Sequence, residues 1–250
     1  MSRVLVTGSN DGIGAEIARI LVAQDHQVIL HARNEARAAD FSTEYVRGDL
    51  GSLGSTRAMA AELLRIGPPE VVVHNAGWGS KDESRPVTED GLEQTFQINA
   101  LAPLLLTALL PKPERLVFVS SDSIVRGNIR LDDLQHEDGW TADAAYADSK
   151  LVMTALAFAL ARRWPDTLSN AVHPGWVSTK MSEYAAPLTV AQGADTPAWL
   201  AVSTDPAATV TGTFFQDRKA IEVNPQAYEP NLQDALLKHC LALCETTLRF

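Results

Sequence analysis

Short, strongly apolar segments alternate with longer segments of helical periodicity along the whole chain. The pattern predicts strands at Arg3–Thr7, Gln27–His31, Glu44–Arg47, Val71–Val73, Leu116–Val119, Ser169–Val172 and about Gly212–Phe215. It predicts helices at about Ile13–Ala23, Leu53–Ile66, Asp90–Leu110, Ala144–Trp164 and Val190–Val202. Strands that are spaced by helices pair in parallel through right-handed crossovers. The sequence therefore predicts an α/β fold, a doubly wound parallel sheet with helices on both faces in three layers.

The composition supports one domain and argues against polyanionic partners. Hydrophobic residues make up 46% of the 250 residues, and no linker or repeat divides them. We therefore expect a single domain over residues 1–250. The net charge of −10 argues against sequence-independent binding to nucleic acid or to an anionic membrane. The segment from Met1 to Gly8 runs straight into a strand without signal-peptide features, so we expect a cytoplasmic protein.

The two cysteines, Cys240 and Cys244, are four positions apart near the end of the chain. On a helix they would share a face, as two metal ligands could. No second pair of ligands accompanies them, so the sequence favours two buried, reduced thiols and predicts no metal site.

A glycine-rich turn follows the first predicted strand. The segment Thr7-Gly8-Ser9-Asn10-Asp11-Gly12-Ile13-Gly14 precedes the first helix. Glycines allow a tight turn and a close approach of the backbone to a pyrophosphate, which then lies on the helix N-terminus. Such glycines also occur in ordinary strand-to-helix turns. The position between strand and helix favours dinucleotide binding in a Rossmann-like sheet.

The end of the second strand bears on the choice of cofactor. Ala32 stands where an NAD site would place a carboxylate for the ribose 2′-hydroxyl, and Arg33 follows it. An arginine can form bidentate, charge-assisted hydrogen bonds with a 2′-phosphate. The alternative is a solvated surface arginine. The residues favour NADP(H) and leave NAD(H) open.

Three side chains form a candidate catalytic group. Tyr146 and Lys150 are four residues apart at the start of a long predicted helix, which puts phenol and ammonium on one face. A nearby cation favours the phenolate and brings proton exchange closer to neutral pH. Ser121 follows a buried strand, at the edge where doubly wound sheets bind ligands. Together the three can surround a carbonyl oxygen.

The ordered set of motifs resembles that of the short-chain dehydrogenase/reductases. Its elements are Thr7-Gly8-x-x-x-Gly12-x-Gly14, Asn75-Ala76-Gly77, Asn99, Ser121, Tyr146-x-x-x-Lys150 and Pro174-Gly175. They span nearly the whole chain in the family's order. The segment between Ser121 and Tyr146 is longer than in compact members, which resembles the retinol-dehydrogenase-like and carbonyl-reductase-like subgroup.

The resemblance implies roles for the candidate residues. Tyr146 would be the general acid in carbonyl reduction and the base in alcohol oxidation. Lys150 would lower the pKa of Tyr146 and hold the nicotinamide ribose. Ser121 would position the substrate oxygen, and Asn99 would hold a proton-relay water with the lysine. The implied cofactor contacts are Gly8, Ser9, Asn10, Gly12, Ile13, Gly14, Arg33, Asp49, Leu50, Asn75, Ala76, Gly77, Tyr146, Lys150, Pro174, Gly175, Val177 and Thr179.

Two positions depart from the family pattern. His74 replaces the first Asn of the usual Asn-Asn-Ala-Gly, but the second, Asn75, remains. Asp11 stands where some NADP-using members carry a basic residue. Recognition of a 2′-phosphate would then depend on Arg33 and its neighbours.

The substrate region is predicted from segments near the nicotinamide. We expect a substrate loop at about 122–145 and a lid at about 178–193, with Trp140, Trp176, Met181 and Tyr184 as candidate wall residues. The sequence thus predicts an NADP(H)-dependent oxidoreductase acting on a small, apolar carbonyl or alcohol substrate. The alternative is a redox-sensing protein that binds NAD(P) without turnover.

The predicted helix from Tyr146 to Trp164 is apolar on more than one side, so it should be buried on most sides. Family resemblance would pair it with its copy in a homodimer. The long segment before Tyr146 could cover it instead.

Overall fold

A computed structural model describes residues 1–38 and 44–248. Its sheet contains eight strands: β1 Arg3–Val6, β2 Gln27–Ala32, β3 Tyr45–Arg47, β4 Val71–His74, β5 Arg115–Val119, β6 Leu168–Val172, β7 Phe214–Gln216 and β8 Lys219–Ile221. The strand order is β3-β2-β1-β4-β5-β6-β7-β8. All neighbours pair in parallel except β7 and β8. The predicted doubly wound sheet is therefore confirmed, with an antiparallel edge strand that the sequence did not predict.

The helices are α1 Gly12–Ala23, α2 Glu35–Ala38, α3 Leu53–Ile66, α4 Gln94–Phe96, α5 Ala102–Leu109, α6 Ala142–Arg163, α7 Val190–Val202 and α8 Pro230–Leu243. A π-helical stretch, Gln97–Leu101, joins α4 to α5. Short 3₁₀ helices cover Asp122–Arg126, Pro206–Ala208 and Pro225–Tyr228. Helix α8 is a further element that the sequence did not predict.

The helix expected from Asp90 begins four residues later. Glu93 caps it, because its carboxylate accepts a hydrogen bond from the backbone N–H of Phe96 at 2.6 Å. Asp90 lies outside the helix, where its carboxylate accepts from the backbone N–H of Leu53 at 2.8 Å. Asp90 therefore ties this loop to the start of α3 rather than continuing the helix.

Alternate residues along the strands face two apolar cores. Val4, Val6 and Val73 pack with Ile17 of α1 and with α7 on one side of the sheet. On the other side, strand residues such as Leu5 and Phe118 pack with α3, α5, α6 and α8. Both faces of a parallel sheet are thus covered by helices, which confirms the three-layer arrangement.

Helix α6 is the central helix of the second core. Thr141 caps it by accepting a hydrogen bond from the backbone N–H of Ala144 at 3.2 Å. By length and composition α6 is the one helix in the described ranges that could cross a membrane, but 83% of that apolar window is buried inside the protein. Helix α8 and Pro225–Tyr228 pack against it, with Phe158 and Tyr228 at 5.2 Å between ring centroids. α6 is therefore a core helix whose faces are covered by the same chain.

Candidate active site

The glycine-rich turn between β1 and α1 forms a cradle that side chains would fill. Gly8 adopts φ +64°, a left-handed conformation that favours glycine. A Cβ on Gly14 would lie 2.3 Å from the carbonyl oxygen of Gly8, and one on Gly8 would lie 3.1 Å from Ala76. The first-turn N–H groups of α1 have no intrahelical acceptors. These features suit a pyrophosphate, so the turn fits a dinucleotide.

Thr7 and Asn75 lock this turn to the end of β4. The Thr7 hydroxyl accepts hydrogen bonds from the backbone N–H groups of Asn75 and Ala76, both at 3.0 Å. The Asn75 amide donates to the carbonyl oxygen of Thr7 at 2.9 Å. Thr7 is thus a site residue that the sequence analysis quoted in a motif without giving it a role. Only the adjacency of β1 and β4 shows what it does.

Asp11 connects the turn to the segment after β6. Its carboxylate accepts from the backbone N–H of Gly12 at 2.8 Å and forms an ion pair with Lys180. The hydrogen bond from Lys180 lowers the pKa of the Asp11 carboxyl, and the charge of Arg37 acts in the same direction. Two cations therefore lie near Asp11, the residue that departs from the family pattern. The sequence alone suggested a deficit of positive charge there.

The residues predicted to contact the adenosine half of the cofactor lie beyond β2 and β3. Arg33 is exposed and makes no ion pair with any residue in the described ranges. The Asp49 carboxylate accepts a hydrogen bond from the backbone N–H of Gly51 at 2.9 Å, and the backbone N–H of Asp49 donates to the Ser55 hydroxyl at 2.8 Å. Leu50 beside it is buried. Arg33 is thus exposed to solvent, while Asp49 is fixed by its own loop.

Asn99 lies in the π-helical stretch and is fully buried. Its side-chain amide donates to the carbonyl oxygen of Trp78 at 2.8 Å and to the Ser149 hydroxyl at 2.9 Å. The backbone N–H of Trp78 donates back to the Asn99 side-chain oxygen at 2.8 Å. Asn99 therefore joins the loop after β4 to α6 at Ser149, the residue that precedes Lys150.

Lys150 is buried at 3% exposure among these elements. Its Nζ donates to the carbonyl oxygen of Val119 at 2.8 Å. A Cβ on Gly77 would lie 3.1 Å from this Nζ, so the glycine leaves room for the ammonium. Burial lowers the pKa of Lys150 to about 8.

Tyr146 stands one helical turn before Lys150, with its ring centroid 5.9 Å from Nζ. Burial raises the pKa of the phenol, while a hydrogen bond with Ser121 lowers it and the charge of Asp122 raises it. The pKa of Tyr146 is therefore raised, where the sequence led us to expect that Lys150 would lower it. Desolvation is the largest cause of the shift. The phenol also lies 3.9 Å from the sulfur of Met181.

Ser121 caps the 3₁₀ helix after β5. Its hydroxyl accepts from the backbone N–H of Ser123 and donates to the Asp122 carboxylate, both at 3.2 Å. The backbone N–H of Asp122 in turn donates to Nδ1 of His173 at 3.1 Å. Burial lowers the pKa of His173. His173, to which the sequence assigned no role, thus holds the Ser121 turn.

A cavity of about 460 Å³ opens above Ser121 and Tyr146. Trp176 and Met181 line it as expected, whereas Tyr184 does not. Trp140 lies elsewhere, because its indole N–H donates to the buried Glu93 at 3.3 Å. The other lining residues include Ile13, Pro174, Gly175, Val177 and Thr179, together with the charged Lys81, Asp122, Arg126 and Asp143. The wall therefore combines an apolar side with charged groups.

Cys240 and Cys244 are free thiols buried in the second core. Burial raises the pKa of Cys244 to about 12 and that of Cys240 further. Both are therefore protonated at neutral pH and pack as small apolar side chains, in agreement with the favoured interpretation.

Three comparisons agree with this geometry. The family model described as short chain dehydrogenase matches residues 2–187. The chain is 37% identical over 250 residues to an uncharacterised oxidoreductase of Emericella nidulans, with 96% of each chain covered. It is 32% identical to retinol dehydrogenase 14 of Mus musculus, with 92% of this chain and 81% of the relative covered. Among solved structures, an uncharacterised protein from Mycobacterium paratuberculosis superposes with a TM-score of 0.85 at 27% identity, covering 100% of this chain and 96% of the other.

The retinol-dehydrogenase-like resemblance that the motifs suggested is thus confirmed. Members of this family bind NAD(P)(H) and act on alcohol and carbonyl groups. The chain therefore belongs to the short-chain dehydrogenase/reductase family and is an oxidoreductase of that family.

Proposed function

We propose that the protein transfers a hydride between NADP(H) and the carbonyl or alcohol carbon of a small, largely apolar substrate. The observation that carries the proposal is the meeting of Tyr146 and Ser121 at one cavity wall, with buried Lys150 behind the phenol. A hydrophobic surface from Trp176 and Met181 faces these polar groups. A carbonyl could therefore place its oxygen on the hydroxyls and its apolar part against the opposite wall.

The bound nicotinamide would supply the hydride in reduction and accept it in oxidation. The chain's own residues handle the oxygen and its proton. Ser121 would donate a hydrogen bond to the carbonyl oxygen, and Tyr146 would release its phenolic proton to the same oxygen. Lys150 would stabilise the phenolate that remains, and Asn99 would hold the loop and helix that carry these groups. The lysine charge is present at neutral pH, because the pKa of Lys150 lies at about 8.

Successive segments of the chain would contact successive parts of the cofactor. The turn from Gly8 to Gly14 would bind the pyrophosphate. Asp49 and Leu50 would contact the adenine. The ribose would lie along Asn75, Ala76 and Gly77. The nicotinamide would contact Pro174, Gly175, Val177 and Thr179. A Cβ on Gly12 would lie 3.4 Å from Thr179, which supports the idea that these two segments face one ligand.

Preference for NADP(H) rests on two exposed arginines. Arg33 follows β2 with no ionic partner in the described ranges, and Arg37 lies one helical turn further on α2. Arg37 is close enough to the turn to act on the charge of Asp11. Ala32 supplies no carboxylate to repel a phosphate. The arrangement favours a 2′-phosphate between the two guanidinium groups.

We further propose that residues 1–250 form one catalytic domain with a substrate loop at about 122–145 and a lid at about 178–193. Asp148 of α6 ties down the loop, since it accepts from the backbone N–H of Asn128 at 2.7 Å and pairs with His136 at 3.1 Å. The first turn of the lid is held by ion pairs of Lys180 with Asp11 and of Glu183 with Lys81. The loop is thus anchored to buried structure, whereas the lid is held by exposed charges that substrate can compete with.

The competing hypothesis is a protein that binds the dinucleotide without turnover. The two are separated by following nicotinamide absorbance with NADPH and a panel of aldehydes and ketones, for wild type and Tyr146→Phe. The proposal predicts turnover that Tyr146→Phe abolishes while NADPH binding survives. Tight NADPH binding by wild type with no turnover across the panel would favour the binding protein.

The assembly and the compartment belong to the same proposal. Helix α6 is covered by α8 and by Pro225–Tyr228, so it offers little free surface to a second copy. We therefore favour a monomer over the homodimer that the family resemblance suggests. Two free buried thiols suit a reducing compartment, which supports the cytoplasm as its location.

A further inference from the structure

His31 is a buried polar residue that the proposed chemistry does not use. It is the last residue but one of β2 and is 3% exposed. Its ring lies between the glycine-rich turn and the loop after β3. The Gly8 backbone N–H donates to Nδ1 at 2.9 Å, and Nε2 lies 2.9 Å from the carbonyl oxygen of Gly48. One imidazole therefore joins the two segments that border the adenosine diphosphate half of the cradle.

These two partners determine the protonation of the ring. A carbonyl oxygen only accepts, so Nε2 must carry the proton that it donates to Gly48. A backbone N–H only donates, so Nδ1 must be bare to accept from Gly8. The ring is thus neutral, in the Nε2–H form. Burial lowers the pKa of His31, which is consistent with a neutral ring.

The backbone of His31 holds the same turn. Its N–H donates to the Ser9 hydroxyl at 2.7 Å, and its carbonyl oxygen accepts from the Ser9 backbone N–H at 3.2 Å. With the ring contact to Gly8, one residue forms three hydrogen bonds to two consecutive turn residues. Gly8 adopts its positive φ within this arrangement. An apolar side chain at position 31 would leave the half-buried Gly8 N–H without its partner inside the protein.

We propose that His31 is a positioning residue for the cofactor, which fixes the phosphate-binding turn against the adenine loop and so sets the affinity for the adenosine diphosphate half. The inference rests on the proposed function, because it assigns that half of the dinucleotide to the cradle. His31 touches neither Tyr146 nor Lys150, which lie near the ends of other strands. It should therefore act on binding and leave the proton-transfer step unchanged.

The test compares His31→Leu, which removes both ring contacts, with His31→Gln, which keeps one acceptor and one donor. Dissociation constants for NADPH and NADH are measured by nicotinamide fluorescence, and that for ADP by calorimetry. His31→Leu should weaken all three by about ten- to a hundredfold, the range expected when the hydrogen bonds of a buried side chain are lost. His31→Gln should stay within about threefold of wild type. The kcat at saturating NADPH should change by less than about twofold in both.

Ile29→Val is the matched control, since it removes a methyl group from the buried core of the same strand without touching the turn. It should leave every dissociation constant unchanged. Wild-type affinity in His31→Leu, or equal losses in the Gln and Leu variants, would overturn the inference. A wild-type protein that binds neither NADPH nor NADH would instead overturn the proposed function.

A measurement on the wild-type protein removes dependence on the fold of the variants. Nitrogen NMR of histidine-labelled protein should show His31 as a neutral ring protonated at Nε2 at pH 7, before and after addition of ADP. A charged ring or an Nδ1–H form would contradict the inference even if His31→Leu failed to fold.

Discussion

The buried ammonium of Lys150 donates a hydrogen bond to the main-chain carbonyl of Val119, 2.8 Å away at the end of β5. The contact fixes the lysine between the strand that leads to Ser121 and the helix that carries Tyr146. It also means that a cation is held in the core, where burial lowers its pKa from 10.5 to about 8. The site thus keeps a group that the proposed catalysis needs and that the fold disfavours.

Lys150→Met should make the protein more stable and less active. At pH 7 the wild-type protein holds a buried charge, and its pKa shift corresponds to a penalty of about 3 kcal/mol that Lys150→Met removes. The variant also loses the hydrogen bond to Val119, which offsets about 1–2 kcal/mol of that stabilisation. We expect a net gain of about 1–2 kcal/mol in the free energy of unfolding, which raises Tm by about 2–8 °C. Calorimetry measures this in the absence of cofactor. A lower Tm than wild type would show that the lysine stabilises the fold.

The stability difference between wild type and Lys150→Met should shrink as the pH rises. Below pH 8 the lysine is protonated in both folded and unfolded states, and the full penalty is present. Between the folded pKa of about 8 and the unfolded value of 10.5, the unfolded state binds one more proton, so wild-type stability increases with pH. Subtracting the variant cancels the contributions from the cysteines. Urea titrations at pH 7 and pH 9.5 test this, and a pH-independent difference would contradict it.

Tyr146 and Lys150 should act as a unit in catalysis. Tyr146→Phe removes the proton donor and should lower kcat by about 10²- to 10⁴-fold with NADPH binding preserved. Lys150→Ala should lower kcat and also weaken NADPH binding. The double variant should be scarcely slower than the slower single one, because each depends on the other. Steady-state kinetics with fluorescence titration measure both effects. Multiplicative losses in the double variant would mean that the two residues work independently.

Arg33→Ala and Arg37→Ala should each discriminate between the two cofactors. Each removes one charge-assisted partner of the 2′-phosphate, worth about 1.5–3 kcal/mol, so NADPH affinity should fall about ten- to a hundredfold. NADH affinity should remain nearly unchanged. Arg19→Ala is the control, since Arg19 is an exposed arginine on α1 that pairs with Glu16. Equal losses for NADPH and NADH would reject the assignment of these arginines.

The purified protein should be a monomer. The apolar faces of α6 pack against α8 and Pro225–Tyr228, and Arg162 of α6 holds α8 through Gln233 and Asp234. Light scattering coupled to size exclusion should give a mass near 27.0 kDa. A stable dimer would show that another surface associates, or that α8 moves aside in solution.

The amino-acid sequence by itself determined the layers of the fold and named the candidate reactive groups. Apolar runs such as Val71–Val73 and helical periodicity depend on neighbours a few residues away, so they predicted most strands and helices correctly. The spacing of Tyr146 and Lys150 is equally local. The edge strand β8 and helix α8 were not predicted: β8 is an exposed three-residue strand, and α8 begins without a side-chain cap.

Tertiary structure decided how those groups meet and what state they adopt. Strand order brings β1 beside β4, so Thr7 meets Asn75, 68 residues later in the chain. Packing of α6 on the sheet places the Lys150 ammonium against the carbonyl oxygen of Val119. Burial in the same place raises the pKa of Tyr146, whereas the spacing of Tyr146 and Lys150 alone suggested a lowered pKa. Such contacts join residues far apart in sequence, and burial depends on everything packed around a group. Neither is encoded in a local pattern, which is why only the folded chain reveals them.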